Sequence, residues 1–402
     1  MRRTCTNILM VVPEWPPYHL GGGGIFFRTL ARQLLASGDK VTVAYGYYPT
    51  STFFEGPLAH NEDGIELLRL PLLPTPKSMP ILKTVMPPNA RAIAALWRTL
   101  SGSRFDVVHL NGLVFPLIDI AAIFCRVLQL RYVVTLQGFP RSPEKMHRAV
   151  RAFFNLYVRI FVQHTLRNAR TITCVSRNTA ATKVLDNHAG KVQVIYNCID
   201  GRELAAARGR GFTPQDYGIP EDGKMLLSMA RINYSKGLHT VIEALPQVLE
   251  RQPDTFYVIL GEDDGYYQAL QDAIKALGLE RHVFFPGFLD LDEKVWFMEK
   301  CTVFIVPSLW EPFGLVAAEA MSLGCPVIST KAGGLAEVVG DDAALLVEPG
   351  DAGAMAQTIL AFLESEELRR AYGEKGQERV KRFDIAKITE AYRDAFKGVA
   401  SG

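Results

Sequence analysis

The sequence lacks a long apolar run. No stretch reaches the ~18 uncharged residues that a bilayer-spanning helix needs. The best candidate, residues 113–136, is interrupted by Asp119 and Arg126. Cysteine is sparse and unpatterned. Cys5, Cys125, Cys174, Cys198, Cys301 and Cys325 form no C-x-x-C and no Cys/His cluster, which argues against a structural zinc site and points to reduced, buried thiols. Net charge is nearly absent, at +2 over 402 residues, and gives no reason to expect a nucleic-acid partner. Tandem repeats and low-complexity tracts are missing too. With 48% apolar and 21% charged residues the composition is that of an ordinary globular protein, and the length suggests two or three domains. The opening MRRTCTNILMVVPEWPP holds only a short apolar run ending at Pro13, which reads as a first buried strand and not as a signal peptide. A cytoplasmic protein, soluble or peripheral on the inner face of a membrane, is expected.

The near-zero total hides a polar distribution. Residues 1–200 carry 23 basic and 11 acidic side chains, a net of +12, and the remainder carries 21 and 31, a net of −10. Such a split suggests that one half faces an anionic partner or surface.

Short apolar runs alternate with helical patterns. NILMVV (7–12), KVTVAY (40–45), DVVHL (106–110), RYVVTL (131–136), TITCV (171–175) and VQVIY (192–196) lie in the first half. KMLLSM (224–229), FYVILG (256–261), HVFF (282–285), TVFIV (302–306), PVIST (326–330) and ALLV (344–347) lie in the second. Continuous apolar strands separated by helices argue for parallel sheets covered on both faces. The expectation is an α/β protein with two Rossmann-like domains. Residues 1–200 would form the first and 201–383 the second, with the boundary in the Gly- and Arg-rich 197–211. Residues 71–88, rich in proline, read as an irregular surface loop. Ligands of open parallel sheets sit outside the carboxyl ends of the strands, so the residues after each strand are the place to look for chemistry.

Three such places stand out. Gly21, Gly22, Gly23 and Gly24 lie between the first strand and first helix, where backbone N–H groups can approach a phosphate. The spacing is not that of a dinucleotide fingerprint, because Phe27 breaks it and no acidic residue ends the second strand. Arg231 and Lys236, in ARINYSKG, follow KMLLSM at the start of the next helix, and two cations there suit a pyrophosphate. Glu311-Pro-Phe-Gly-Leu-Val-Ala-Ala-Glu319 follows TVFIVPS. A carboxylate accepts from both hydroxyls of a vicinal diol, and the amides at Gly314 and Leu315 can meet phosphate oxygens. The single D-x-D pattern, Asp290-Leu-Asp292, sits at a helix start and reads as a cap, not a metal site.

The glycine loop, the R-x-x-x-x-K-G segment from Arg231 to Gly237 and the E-x-x-x-x-x-x-x-E element from Glu311 to Glu319 together resemble family 4 of the retaining, nucleotide-sugar-dependent glycosyltransferases. GEDDGYYQALQDAIKALGLERHVFFPGF (261–288) and PSLWEPFGLVAAEAMSLGCPVISTKAGGLAEVV (307–339) are similar to the family through most of the second domain, and the first domain matches more loosely. The resemblance implies the GT-B fold, with two domains facing across a cleft and the last helix, in 384–402, returning to the first domain. It implies that Glu319 binds the donor's ribose, Glu311 the transferred sugar, and Arg231 and Lys236 the diphosphate. Backbone at Gly21, Gly22, Gly23, Gly314 and Leu315, beside Phe313, would complete the phosphate site, and Gly287 and Phe288 would take the base. No cofactor and no metal are implied. The partners would be a nucleotide sugar donor and a saccharide or lipid-linked acceptor.

One position departs from the family. Where a histidine usually stands near the reacting centre, this sequence has Gln137, which cannot act as a base but can hydrogen-bond a sugar. His109, in VVHLNG, is a nearby candidate, with a structural role as its alternative. The departure keeps two other readings open, a nucleotide-sugar epimerase and a non-catalytic nucleotide-sugar-binding subunit. Finally, residues 141–170 hold Arg141, Lys145, Arg148, Arg151, Arg159, Arg167 and Arg170 against Glu144 alone, with Val150, Phe153, Phe154, Tyr157, Ile160 and Phe161 at helical spacing. This is either a basic amphipathic helix for an anionic membrane or an aromatic core stripe with a solvated charged face.

Overall fold

The fully apolar runs form strands because burying both faces of a parallel strand demands side chains with no polar obligations. The computed structural model describes residues 5–16, 22–47, 58–73, 86–139, 148–207 and 217–401. The chain divides into two compact units, one made of Met1–Cys198 with Ile385–Gly402 and the other of Ile199–Asp384.

In the first unit, β1 (Asn7–Val12), β2 (Lys40–Tyr47), β3 (Ala59–Glu62), β4 (Ile65–Pro71), β5 (Val107–Asn111), β6 (Tyr132–Leu136), β7 (Thr171–Cys174) and β8 (Val192–Val194) form one sheet in the order β3-β4-β2-β1-β5-β6-β7-β8. All neighbours are parallel except β3 against β4. Met10 stands opposite Val43 on one side and His109 on the other, so the order reverses between β1 and β5. A ligand crevice is expected at the carboxyl ends there.

The β3–β4 hairpin is not among the strands expected from the sequence. Its turn is Asp63-Gly64, with φ of 50° and 86°. Asp-Gly with both residues at positive φ is the preferred two-residue hairpin turn, and NEDGIELL carried that signal. The strand AHNE has no apolar pattern because it is an edge with one neighbour. Residues 86–88 extend the sheet margin through a bridge between Leu72 and Pro88, while 74–85 lie outside the described residues.

The last helix, Ile385–Ser401, belongs to the first unit. It packs on the helix Gly22–Ala36 and over β5 and β6. Its buried face is Ile388, Tyr392, Ala395, Phe396 and Val399. One polar anchor fixes its register: Arg393 Nε donates to Asp39 Oδ2 at 2.8 Å, and Asp39 Oδ1 accepts from the Thr6 N–H at 3.1 Å.

The second unit carries a six-stranded parallel sheet. Its strands are β9 (Lys224–Met229), β10 (Thr255–Leu260), β11 (Val283–Gly287), β12 (Val303–Val306), β13 (Val327–Thr330) and β14 (Leu345–Val347), in the order β11-β10-β9-β12-β13-β14. The order reverses between β9 and β12, so the segments after these two strands flank the switch point. Those segments contain Arg231 and Lys236 after β9, and Glu311 after β12. All six cysteines are free thiols: Cys5 is exposed, Cys301 is half-buried and the rest are buried.

Candidate functional site

Two close backbone approaches bring the loop after β9 to the loop after β12. Gly237 has a φ of +65°, and a Cβ there would stand 2.0 Å from the Pro307 carbonyl oxygen. The Leu309 N–H donates to the Ser235 carbonyl at 2.8 Å. Lys236 ends a short 3-10 turn, Tyr234–Lys236, and its ammonium reaches Glu311 Oε2 at 2.6 Å. Both side chains are mostly buried, at 21% and 14% exposure. An ammonium has three donors, so Lys236 can hold this carboxylate and a phosphate oxygen together.

Arg231 is paired too. Its Nη1 donates to Asp264 Oδ2 at 2.8 Å, and Asn233 Nδ2 donates to the same oxygen at 3.0 Å. Asp264 was not singled out from the sequence, although GEDDG after β10 places it in the right strand-end loop. Its neighbour Asp263 accepts from the amides of Gly265, Tyr266 and Tyr267 at 2.9, 3.1 and 3.0 Å. Those bonds hold the Asp263 carboxyl below the usual carboxylate range, led by the one from Tyr267. The guanidinium keeps further N–H groups for a ligand.

The Glu311–Glu319 element is shaped by glycine. Gly314, at φ +96°, precedes the helix Leu315–Ser322, and a Cβ there would meet Leu335 Cδ1 at 2.4 Å. The Gly334 N–H donates to the Glu311 carbonyl at 2.9 Å, which fixes the loop from the other side. The amides of Leu315 and Val316 open the helix and have no intrahelical acceptor. Glu319 stands one turn further in and is partly buried. Burial raises its pKa, Lys294 opposes the rise, and Glu203 adds to it.

Lys294 is the second residue that sequence reasoning missed. It lies in the helix Leu291–Lys300, and its Nζ sits 4.2 Å from the centroid of the Phe288 ring, an exposed aromatic face. Burial lowers its pKa, against the pull of Glu319, Asp290 and Glu262. A lysine four residues into a helix carries no motif, so only the fold could place it between Phe288 and Glu319. Gly287, at φ +92°, ends β11 just before Phe288. Asp290 is the N-cap of the same helix, in a capping box with Glu293, as expected for the D-x-D pattern.

Two of the expected residues have buried side chains. Phe313 is 2% exposed and packs edge-on against Phe383 at 5.4 Å, so its ring belongs to the core. His109 has no solvent-exposed surface. Its Nε2 lies 2.6 Å from Thr135 Oγ1, and the rings of Tyr392 and Phe396 stand 5.4 and 5.0 Å away. Burial pushes its pKa down to about 3, which favours the neutral imidazole and fits the structural alternative for this residue.

In the first unit, Gly21 lies outside the described residues. Gly22 and Gly23 begin the helix Gly22–Ala36, but the next amide, of Gly24, already donates to Glu14 Oε1 at 3.1 Å. A carboxylate thus occupies part of the anion site that the glycines suggested. Gln137 follows β6 and is half-buried; its side chain is paired with that of Asn197.

Residues 148–168 form a helical run, Arg148–Tyr157, a π turn Val158–Val162 and Gln163–Asn168. Arg141, Glu144 and Lys145 lie outside the described residues. Phe154 and Tyr157 pack on the core of the unit, which accounts for part of the aromatic stripe. Val150, Phe153, Leu156, Ile160 and Phe161 do not, and are 41%, 63%, 54%, 51% and 39% exposed.

Two family models match the chain, Glycosyltransferase Family 4 over residues 20–202 and Glycosyl transferases group 1 over residues 210–379. An uncharacterized glycosyltransferase of Methanocaldococcus jannaschii is 28% identical over 345 residues, covering 83% of this chain and 82% of the relative. A phosphatidyl-myo-inositol mannosyltransferase of Mycobacterium leprae is 32% identical over 191 residues, 47% of this chain and 50% of its own. Among solved structures, Anabaena HepE in complex with UDP and glucose superposes with a TM-score of 0.74 at 22% identity, covering 98% of this chain and 99% of that one.

Proposed function

Because the chain belongs to the Family 4 and group 1 glycosyltransferases and has their GT-B fold, we propose that it moves a sugar from a nucleotide diphosphate sugar to a hydroxyl of a saccharide or lipid-linked acceptor, with retention and without a metal. The observation that carries the reading is the Lys236–Glu311 pair at the switch point of the second sheet, with the start of the helix Leu315–Ser322 following Glu311 and Arg231 in the same loop as Lys236. Two cations and free amides suit the diphosphate. Glu319 and Lys294 suit the ribose and base end, beside Phe288.

In the proposed step the C1–oxygen bond to the diphosphate breaks, and the acceptor oxygen bonds C1 on the same face. The acceptor's proton passes to the departing phosphate oxygen, so Gln137 need not act as a base. Preorganised donors are each worth roughly 3–4 kcal/mol when tested by removal, enough for Arg231, Lys236 and the helix end to carry the leaving charge. Acceptor recognition is assigned to the first unit.

The test is a thermal-shift screen against UDP, GDP and ADP sugars, followed by release of nucleotide diphosphate in excess EDTA. One sugar nucleotide should raise the melting temperature, because a ligand of the native state stabilises it. Turnover should persist in EDTA and product NMR should show the anomer retained. Strict dependence on Mg or Mn would end the metal-free reading, and a product formed without acceptor would favour the epimerase. Binding with no nucleotide release would favour a binding-only subunit.

The exposed face of the helical run supports a membrane-borne acceptor. Phe153, Leu156 and Ile160 lie beside exposed Arg148, Arg151 and Arg159, the composition of a helix that lies in an anionic interface. Among the described residues no helix is long and apolar enough to cross a membrane. The protein should sediment with vesicles containing anionic lipid at low salt and be released by high salt. Phe153→Ser with Ile160→Ser should reduce binding at least ~10-fold, since each removes a large apolar contact with the interface. Equal binding by wild type and variant would refute this use of the helix.

A further inference from the structure

We infer that Asn197 is a positioning residue: through a reciprocal amide pair it fixes the plane and place of the Gln137 amide, whose free edge then holds sugar hydroxyls. The inference rests on the glycosyltransferase reading above. Gln137 follows Leu136, the last residue of β6, at the carboxyl edge where ligands of such sheets bind. Its Nε2 donates to Asn197 Oδ1 at 3.2 Å, and Asn197 Nδ2 donates back to Gln137 Oε1 at 2.9 Å. Asn197 is 3% exposed and therefore held, while Gln137 is only partly buried.

The arithmetic of the pair leaves something over. Each side-chain amide has two N–H donors and an oxygen with two lone pairs. The pair uses one donor and one lone pair of each. One N–H and one lone pair of Gln137 remain, and they have no other protein partner among the described residues. An edge with one donor and one acceptor complements sugar hydroxyls, which both give and accept. It does so whichever way round the two amides lie, because a concerted flip restores the same pairing.

An unpaired glutamine on a strand end would lose about 2 kcal/mol of rotamer freedom on binding. With Asn197 in place that ordering is already present in the folded protein. Asn197 thus acts through Gln137 and touches no substrate itself.

The experiment is a double-mutant cycle with a swapped pair, read by nucleotide diphosphate release from the preferred sugar nucleotide, nucleotide diphosphate affinity and melting temperature. Asn197→Ala and Gln137→Ala should each lower turnover about tenfold, in line with the loss of one or two hydrogen bonds. The double variant should be no slower than Gln137→Ala alone. Affinity for the free nucleotide diphosphate should stay within about twofold of wild type, since the second unit carries those contacts. The swap Gln137→Asn with Asn197→Gln keeps the pair and its combined length, so the melting temperature should return to wild type. Turnover should stay low, because the amide at 137 is drawn back by one methylene. Effects that multiply in the double variant, a swap that restores turnover, or a stable Asn197→Ala enzyme with full turnover would each overturn the inference. The swap also decides the matter if the alanine variants fail to fold. Wild-type protein that turns over no sugar nucleotide would overturn the glycosyltransferase reading itself, and this inference with it.

Discussion

Lys236→Ala should lower turnover by at least ~100-fold, the usual loss when one preorganised electrostatic donor is removed. The ammonium is held 2.6 Å from Glu311 in a mostly buried pair. Its removal therefore does two things. It withdraws a cation from the departing diphosphate, and it leaves the Glu311 carboxylate uncompensated where further negative charge must arrive. Both effects oppose the transition state more than the ground state, because charge on the leaving oxygen grows as the bond breaks. The loss should appear in kcat as well as in donor affinity. Lys236→Arg should not restore it fully, since a planar fork cannot take the place of a compact ammonium beside Glu311.

Glu319→Ala should cost a similar factor by a different route. Its carboxylate sits one turn into the helix Leu315–Ser322, partly buried, with Lys294 in electrostatic contact. Removal leaves the ammonium of Lys294 short of one of its three carboxylate neighbours. The expected signature is a raised donor KM with a loss in kcat, and weaker binding of the nucleoside diphosphate alone. Steady-state kinetics and titration with the diphosphate check both variants. Near-full activity in both would refute the assignment of this site.

The sequence carried the strands of both units because parallel strands buried on both faces need near-continuous apolar runs, which survive in the one-dimensional text. NILMVV and KMLLSM correspond to β1 and β9 residue for residue. The hairpin of β3 and β4 was missed because an edge strand such as AHNE need not be apolar, although its Asp-Gly turn was readable. Arg231, Lys236, Glu311 and Glu319 were legible because they sit in loops and a helix start immediately after strands. Their partners were not. Asp264, Lys294 and Asn197 are set by tertiary contact across 33, 25 and 60 residues from Arg231, Glu319 and Gln137 respectively. His109 shows the reverse case. A histidine near a strand end looks chemical in sequence, and only the rings of Tyr392 and Phe396, some 280 residues later, make it core.

The same long-range closure sets the expected stability of the first unit. Arg393→Ala should destabilise it by roughly 3–5 kcal/mol, the range for removing one partner of a buried ion pair. Asp39 has no exposed side-chain surface and Arg393 has 6%, so neither charge can be rehydrated where it stands. Without the guanidinium, Asp39 keeps the hydrogen bond from the Thr6 N–H at 3.1 Å and is left as a buried carboxylate with no cation beside it. The pair also fixes the register of the helix Ile385–Ser401, which lays Tyr392 and Phe396 over His109. Chemical denaturation of Arg393→Ala, with limited proteolysis of the C-terminal helix, measures the effect. Replacing both partners with apolar residues, Asp39→Leu with Arg393→Met, should recover much of the loss, since no charge is then stranded. A double variant as unstable as the single one would show that the ion pair contributes more than the cancellation of its own charges, and that the register of the last helix depends on its geometry.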